Sequence, residues 1–545
     1  MNRNAPTLPS AFGKVIRSLS EERRIMKSRE FMGRACHPIN RRDFLRAGCA
    51  ACVAATGIAS APARLAGAEA AAGTRVRVIY ALHGPRQEGP DWPNKGFDFT
   101  PVMDRFGGEL TRRCPGIEFL FSQASNAEQA GKIVDGDKDA GIDGYLVFQM
   151  NCWNQVVQTV AATGKPVLYA DFQFGGSGGF LVYTAGFLRA RTPNVGFVAS
   201  SRIEDLAEAA KCFELTKEGA MPAEFAAATA RARVAATPKD FLPECKADRV
   251  KTVPIDECVR RMKESKILAF RDESPEPDGN LLGIPVITLP FSELNDAWKA
   301  ADKDESRAVA DRWQKAAAKV EGVDQATLET SAAMYLGMKA ILNKHGANAI
   351  TVNCLGGFYG GHIHAYPCLG FHQLLNEGLI GACECDIRST ATMVALTTLT
   401  GGRPGTISDP VIDTSKRQII YAHCVASNRA FGPDGGANPF EILTHSEDRQ
   451  GASVRSVLPV GYMTTTIEFD QARKQVLFHR AATVANDPDD RACRTKLCAV
   501  PVGDIEKLFC EWDQWGWHRV TCYGDLKEPV YALADALGFK VAEEA

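Results

Sequence analysis

The sequence predicts an α/β protein: two Rossmann-like parallel-sheet domains followed by a mostly antiparallel, β-rich C-terminal domain. Three observations predict it. From Arg75 to about Gly401, short runs of β-branched and aromatic residues alternate with helix-length segments, the pattern of a parallel sheet covered on both faces. Past Gly401 the texture changes to TISDPVIDTSKRQIIYAHCVAS, SVRSVLPVGYMTTTIEFD and KQVLFHRAATVA, where Thr and Val are abundant. The 545 residues are long for one domain and point to several. We place the boundaries at 1–73 (export signal and linker), 74–200, 201–400 and 401–545.

In the first α/β domain the predicted strands are RVRVIYAL (75–82), IEFLFSQ (117–123), GYLVFQM (144–150), KPVLYAD (165–171) and VGFVAS (195–200). Segments such as Trp153–Thr163 are long enough to be crossover helices. The glycine-rich run at Phe174–Gly179 has neither dinucleotide nor P-loop spacing and reads as a mobile loop. In the second domain strands are expected at ILAF (267–270), IPVITLP (284–290), AITVNCL (349–355) and GLIGACEC (378–385). The charged stretch Ser292–Glu321 reads as helix. Met334, Met338 and Ile341 mark the buried face of another helix, with Gly346 as its stop.

Composition narrows the function classes. Hydrophobic residues are 45 % and charged residues 23 %, ordinary globular values, and a net charge of -2 argues against a nucleic-acid partner. Asn40-Arg41-Arg42-Asp43-Phe44-Leu45-Arg46 precedes an Ala/Gly-rich apolar stretch to about Ala61, followed by small-residue cleavage options. This resembles a twin-arginine export signal, so the export machinery is an expected partner and the periplasm or exterior the expected location, with the cytoplasm as the alternative. Met26 and Met32 are alternative starts. The apolar stretch is too short to span a bilayer as a mature helix, and no stable membrane anchor is expected. Of 17 cysteines, Cys36, Cys49 and Cys52 fall in the signal. The others show no small disulfide framework and read mostly as buried apolar side chains, although disulfides are chemically open to an exported protein.

Four residues carry the candidate chemistry: Glu384 at the end of an apolar run, with Asp386 nearby, Asp409 in Thr-Ile-Ser-Asp-Pro, His423 in Tyr-Ala-His-Cys and His518 in Trp-His-Arg-Val-Thr-Cys, Asp386 standing outside the four. Burying charge is costly without a partner. Two carboxylates and one or two imidazoles suit a hard or borderline cation such as Mn²⁺, Mg²⁺ or Co²⁺. Structural readings stand beside this one. Asp386 or Glu384 could cap the helix that begins near Ile387. Asp409 before Pro410 is a common turn pair. His423 could be a satisfied core histidine, and His518 could pack against Trp515 and Trp517. Cys383, Cys385 and Cys424 near His423 raise a thiolate zinc site as a further alternative.

The segments ITVNC (350–354), PCLGFHQLLNEGLIGACECD (367–386), LTGGRPGTISDP (399–410), AHC (422–424) and WHRVTCYGD (517–525) together resemble the L-fucose isomerase family, related to the L-arabinose isomerases. The resemblance covers roughly the C-terminal 200 residues. It implies that Glu384, Asp409 and His518 bind a Mn²⁺-type ion, with His423 resembling a further ligand of the arabinose branch. It also implies that Glu384 and Asp409 act as acid–base groups in aldose–ketose isomerisation of a small sugar, and that the protein is a homo-oligomer. His518 then needs a partner for its other nitrogen. The site is expected between the second and third domains. The rival is an exported, non-catalytic sugar-binding protein; a metal hydrolase lacks a motif for its base.

Overall fold

The computed structural model describes residues 73–239, 242–271 and 279–545. The export motif at Asn40–Arg46 lies outside them. The first sheet comprises β1 (Thr74–Ala81), β2 (Ile117–Ala124), β3 (Gly144–Gln149), β4 (Val167–Asp171) and β5 (Val195–Val198), all parallel, in the order β2-β1-β3-β4-β5. β3 is buried at every position, as the centre of a doubly covered parallel sheet must be.

One expectation in this region holds and one is corrected. The crossover after β3 is a helix, Val156–Ala161, inside the expected segment; Trp153 and Gln155 adopt left-handed backbone (φ 60° and 57°) before it. The glycine-rich run is not a mobile loop: it is a tight turn leading into the helix Ser177–Ala190. A Cβ on Gly176 would lie 2.1 Å from the Gln149 carbonyl oxygen, and one on Gly175 would lie 2.6 Å from that of Met150. These glycines let the helix entrance press against the chain leaving β3.

The second sheet is mixed. Its strands β6 (Ile267–Phe270), β7 (Gly279–Leu281), β8 (Ile284–Leu289), β10 (Ala349–Val352) and β11 (Ile380–Ala382) are ordered β11-β10-β6-β8-β7, with the β7–β8 edge antiparallel. Between them lies β9 (Lys319–Glu321). The charged stretch expected as one helix is two, Phe291–Ala300 and Lys303–Ala316, followed by β9. Asp302 breaks it by accepting the Glu305 N–H at 2.8 Å as an N-cap. The helix Gln325–His345 buries Met334, Met338 and Ile341 and ends at Gly346 with φ 56°.

The C-terminal region is an antiparallel barrel with one parallel addition. Its strands are β12 (Thr406–Asp413), β13 (Gln418–His423), β16 (Met463–Asp470), β17 (Gln475–Asn486), β18 (Thr495–Pro501) and β19 (Arg519–Tyr523), preceded in part by β14 (Phe440–Leu443) and β15 (Ser453–Ser456) and followed by β20 (Lys540–Glu543). The order is β16-β19-β12-β13-β18-β17, and β17 pairs back onto β16 to close the ring. β20 joins β17 in parallel, while β15-β14-β9 form a small separate sheet. Closure removes the exposed edges that a six-stranded ribbon would offer. Among the described residues no helix is long and apolar enough to cross a membrane.

Candidate metal centre

Glu384, Asp409, His423 and His518 converge: one ligand atom from each lies within 4.8 Å of the others. Four separate pieces of chain deliver them. Glu384 comes from the turn after β11, Asp409 from β12, His423 from the end of β13 and His518 from the residue before β19. The site therefore joins the C-terminal edge of the second sheet to the mouth of the barrel.

The local reason differs for each. The apolar strand predicted to run to Cys385 ends at Ala382, so Glu384 is not on an alternating strand. Glu384 and Cys385 both adopt left-handed backbone, φ 61° and 51°, which costs non-glycine residues energy and is sustained only where the surroundings demand it. Asp409 is not in a loop or turn: it pairs with Ala422 inside β12. Pro410, which has no N–H, sits beyond Ser408, where the ladder to β19 ends opposite Arg519. The next residues, Asp409 and His518, leave that ladder side by side.

The histidines are distinct. His518 Nδ1 lies 2.9 Å from Asp386 Oδ2, and its Nε2 lies 3.2 Å from Asp409 and 3.5 Å from Glu384. His423 Nδ1 accepts the Cys424 backbone N–H at 3.0 Å, a bond that places the proton of a neutral ring on Nε2. The Nε2 atoms of both rings are buried without a hydrogen-bond partner. The rings stack with centroids 5.9 Å apart. A buried imidazole nitrogen without a partner, facing two carboxylates, is what a cation site requires, so the donor set fits a divalent ion.

The electrostatics agree. Burial works against the His518 imidazolium, but the Asp409 charge and the contacts with Asp386, Asp409 and Glu384 outweigh it and hold the group well above its ordinary value. Burial pushes Glu384 up, yet the close contact and charge of His518, with the charge of His423, bring it below the usual carboxylate range. A positive charge is thus favoured between these carboxylates.

The capping expectation holds for Asp386, which accepts the Ser389 N–H at 3.0 Å at the start of the helix Ile387–Leu399. The same carboxylate orients His518, a role sequence reading assigned to no residue. Glu447 was also missed. Tyr359 donates to it at 3.0 Å; burial, with the charges of Asp91 and Glu384, pushes its carboxyl up to about 8 against the pull of His445 and Tyr359. Its sequence context, His-Ser-Glu-Asp in a loop, carried no signal. The thiolate zinc alternative is not formed: among the described residues no cysteine joins the cluster. His362 stacks on Phe291, His364 lies tilted against Trp298, and both stand outside the cluster. Trp515 is core, whereas Trp517 is 41 % exposed and packs against Trp153 with centroids 5.8 Å apart.

No family model matches the chain. It is similar to a sulfoquinovose isomerase from Clostridium sp. (strain MSTE9), 26 % identical over 271 residues, covering 48 % of this chain and 59 % of the relative. It is also similar to a sulfoquinovose isomerase from Priestia aryabhattai, 26 % identical over 161 residues, 28 % of this chain and 36 % of the relative. The matched region thus spans less than two thirds of these relatives. A solute-binding protein from Agrobacterium vitis, solved with α-D-tagatopyranose, matches at 12 % identity over 60 % of this chain and 89 % of its own, with a TM-score of 0.15, which carries no argument about the fold.

Proposed function

We propose that this protein is a metal-dependent aldose–ketose sugar isomerase of the L-fucose/L-arabinose isomerase type. The observation that carries the reading is the convergence of Glu384, Asp409 and His518, with His423 beside them, from four segments far apart in the chain. The similarity to sulfoquinovose isomerases supports the same reaction class.

Isomerisation moves a proton from C2 to C1 through an enediol. Glu384, Asp409 and His518 would hold a Mn²⁺, Mg²⁺ or Co²⁺ ion, which would supply Lewis acidity to the sugar's carbonyl. Asp386 holds the proton on His518 Nδ1, so that Nε2 is the nitrogen that would give its lone pair to a cation in place of its proton. In this reading Glu384 and Asp409 take the proton from C2 and return it to C1. Trp517, exposed beside His518, offers an apolar face to the sugar ring.

The test is metal analysis of purified protein together with aldose-to-ketose assays on fucose, arabinose, rhamnose and sulfoquinovose. Glu384→Gln should abolish turnover and weaken metal binding while the fold survives. Wild-type protein that is loaded with metal and binds a sugar without converting it would replace this reading with that of a sugar-binding protein.

We further propose export through the twin-arginine route and a homo-oligomeric state. Arg41→Lys with Arg42→Lys should retain the protein in the cytoplasm on fractionation. Native mass measurement reads the oligomer; a monomer would remove that part.

A further inference from the structure

We infer that Cys354 and Cys383 form a reversible disulfide, an oxidative modification site that fastens the turn carrying Glu384. This inference does not depend on the isomerase reading. The two sulfur atoms lie 3.1 Å apart, although the residues are 29 apart in sequence. Both side chains are buried, at 2 % and 4 % exposure, so neither faces an alternative partner in solvent. A disulfide needs the pair to close by about 1 Å.

The fold brings them together by register. β10 and β11 are parallel neighbours with Thr351 opposite Ala382. Cys383 follows β11 directly, and Cys354 begins the short helix Cys354–Tyr359 after β10. The two cysteines thus leave adjacent strands at the same sheet edge. The Cys385 N–H donates to the Val352 carbonyl at 3.0 Å. The left-handed pair Glu384–Cys385 is tied to β10 by this bond, and a covalent bond at Cys383 would restrain it further.

The oxidant is hydrogen peroxide. One sulfur attacks the peroxide to give a sulfenic acid and water. The second sulfur displaces a second water from that sulfenic acid, so that one S–S bond replaces two S–H bonds. Peroxide takes up the two electrons, and a thiol reductant reverses the step.

The test treats the full-length protein with stoichiometric hydrogen peroxide, quenches it in acid denaturant with a maleimide, and maps the peptides by mass spectrometry. The expected result is a Cys354–Cys383 linked peptide and the loss of these two thiols from the maleimide adducts, restored by dithiothreitol. Cys510, which is exposed, reports that oxidant was present. Recovery of both peptides as maleimide adducts while Cys510 is oxidised overturns the proposal, as does either cysteine linked elsewhere. As a second readout, amide exchange at Glu384 and Cys385 should slow on oxidation in the wild type and be unaffected by peroxide in Cys354→Ser. Equal slowing in the variant would also overturn it.

Discussion

Asp386 binds His518 at one carboxylate oxygen and caps the helix Ile387–Leu399 with the other: Oδ2 lies 2.9 Å from His518 Nδ1 while Oδ1 accepts the Ser389 N–H. One side chain thus serves folding and the site together. Asp386→Asn keeps an effective cap and a hydrogen-bond acceptor but removes the charge. Metal affinity should fall by about 10- to 100-fold with little change in thermal midpoint. Asp386→Ala should lose the affinity and also about 1 kcal/mol of stability. Metal titration and urea unfolding of the two variants separate the roles.

The two histidines of the cluster should not be equivalent. His518 has Nδ1 anchored on a carboxylate, which leaves Nε2 as the donor. His423 Nδ1 is occupied by the Cys424 N–H. His518→Gln should therefore reduce metal affinity at least tenfold more than His423→Gln, an outcome that calorimetric titration with Mn²⁺ reads directly. Equal losses would assign His423 the same standing as His518.

His372 should make stability fall in mild acid. It is 1 % exposed; its Nδ1 donates to the Ala426 carbonyl at 2.7 Å and its Nε2 accepts from Asn376. Burial, only partly opposed by the Ala426 contact, pushes it down to about 4. The sign follows: between about 6.5 and about 4 the unfolded chain binds a proton that the native ring refuses. The stabilisation is complete above pH 6.5, declines as pH falls through that window and is lost below it, up to about 3 kcal/mol. His372→Gln should flatten the difference in urea midpoint between pH 7 and pH 5.

Gly176 and Gly186 lie on the same stretch and should respond oppositely to alanine. At Gly176 the added Cβ meets the Gln149 carbonyl oxygen at 2.1 Å, and backbone must move; about 2 kcal/mol or more should be lost. At Gly186, inside the helix Ser177–Ala190, nothing lies within 4 Å, and alanine should add about 0.5–1 kcal/mol. Thermal unfolding of the two variants checks the pair.

Much of the fold was legible in local pattern. The strands of the first sheet fall close to the predicted runs, and the buried stripe of Met334, Met338 and Ile341 with its glycine stop is as read. Those signals are local: residue type, period and breaker act within a few positions. The Ser292–Glu321 stretch and the glycine run failed for a matching reason. A single Asp cap and a close approach of backbones look, in sequence, like continued helix and flexible loop.

What the sequence by itself determined is the order of strands and helices and the identity of the four side chains that could share a cation. Tertiary structure alone decided that they meet, that Asp386 stands behind His518, that Glu384 sits on a left-handed turn, and that β17 returns to β16 to close the barrel. The physical reason is range. Propensity and period are encoded within a few residues, whereas which strands pair, and which side chains face each other across 132 residues from Asp386 to His518, depend on burial and register that exist only once the chain is packed.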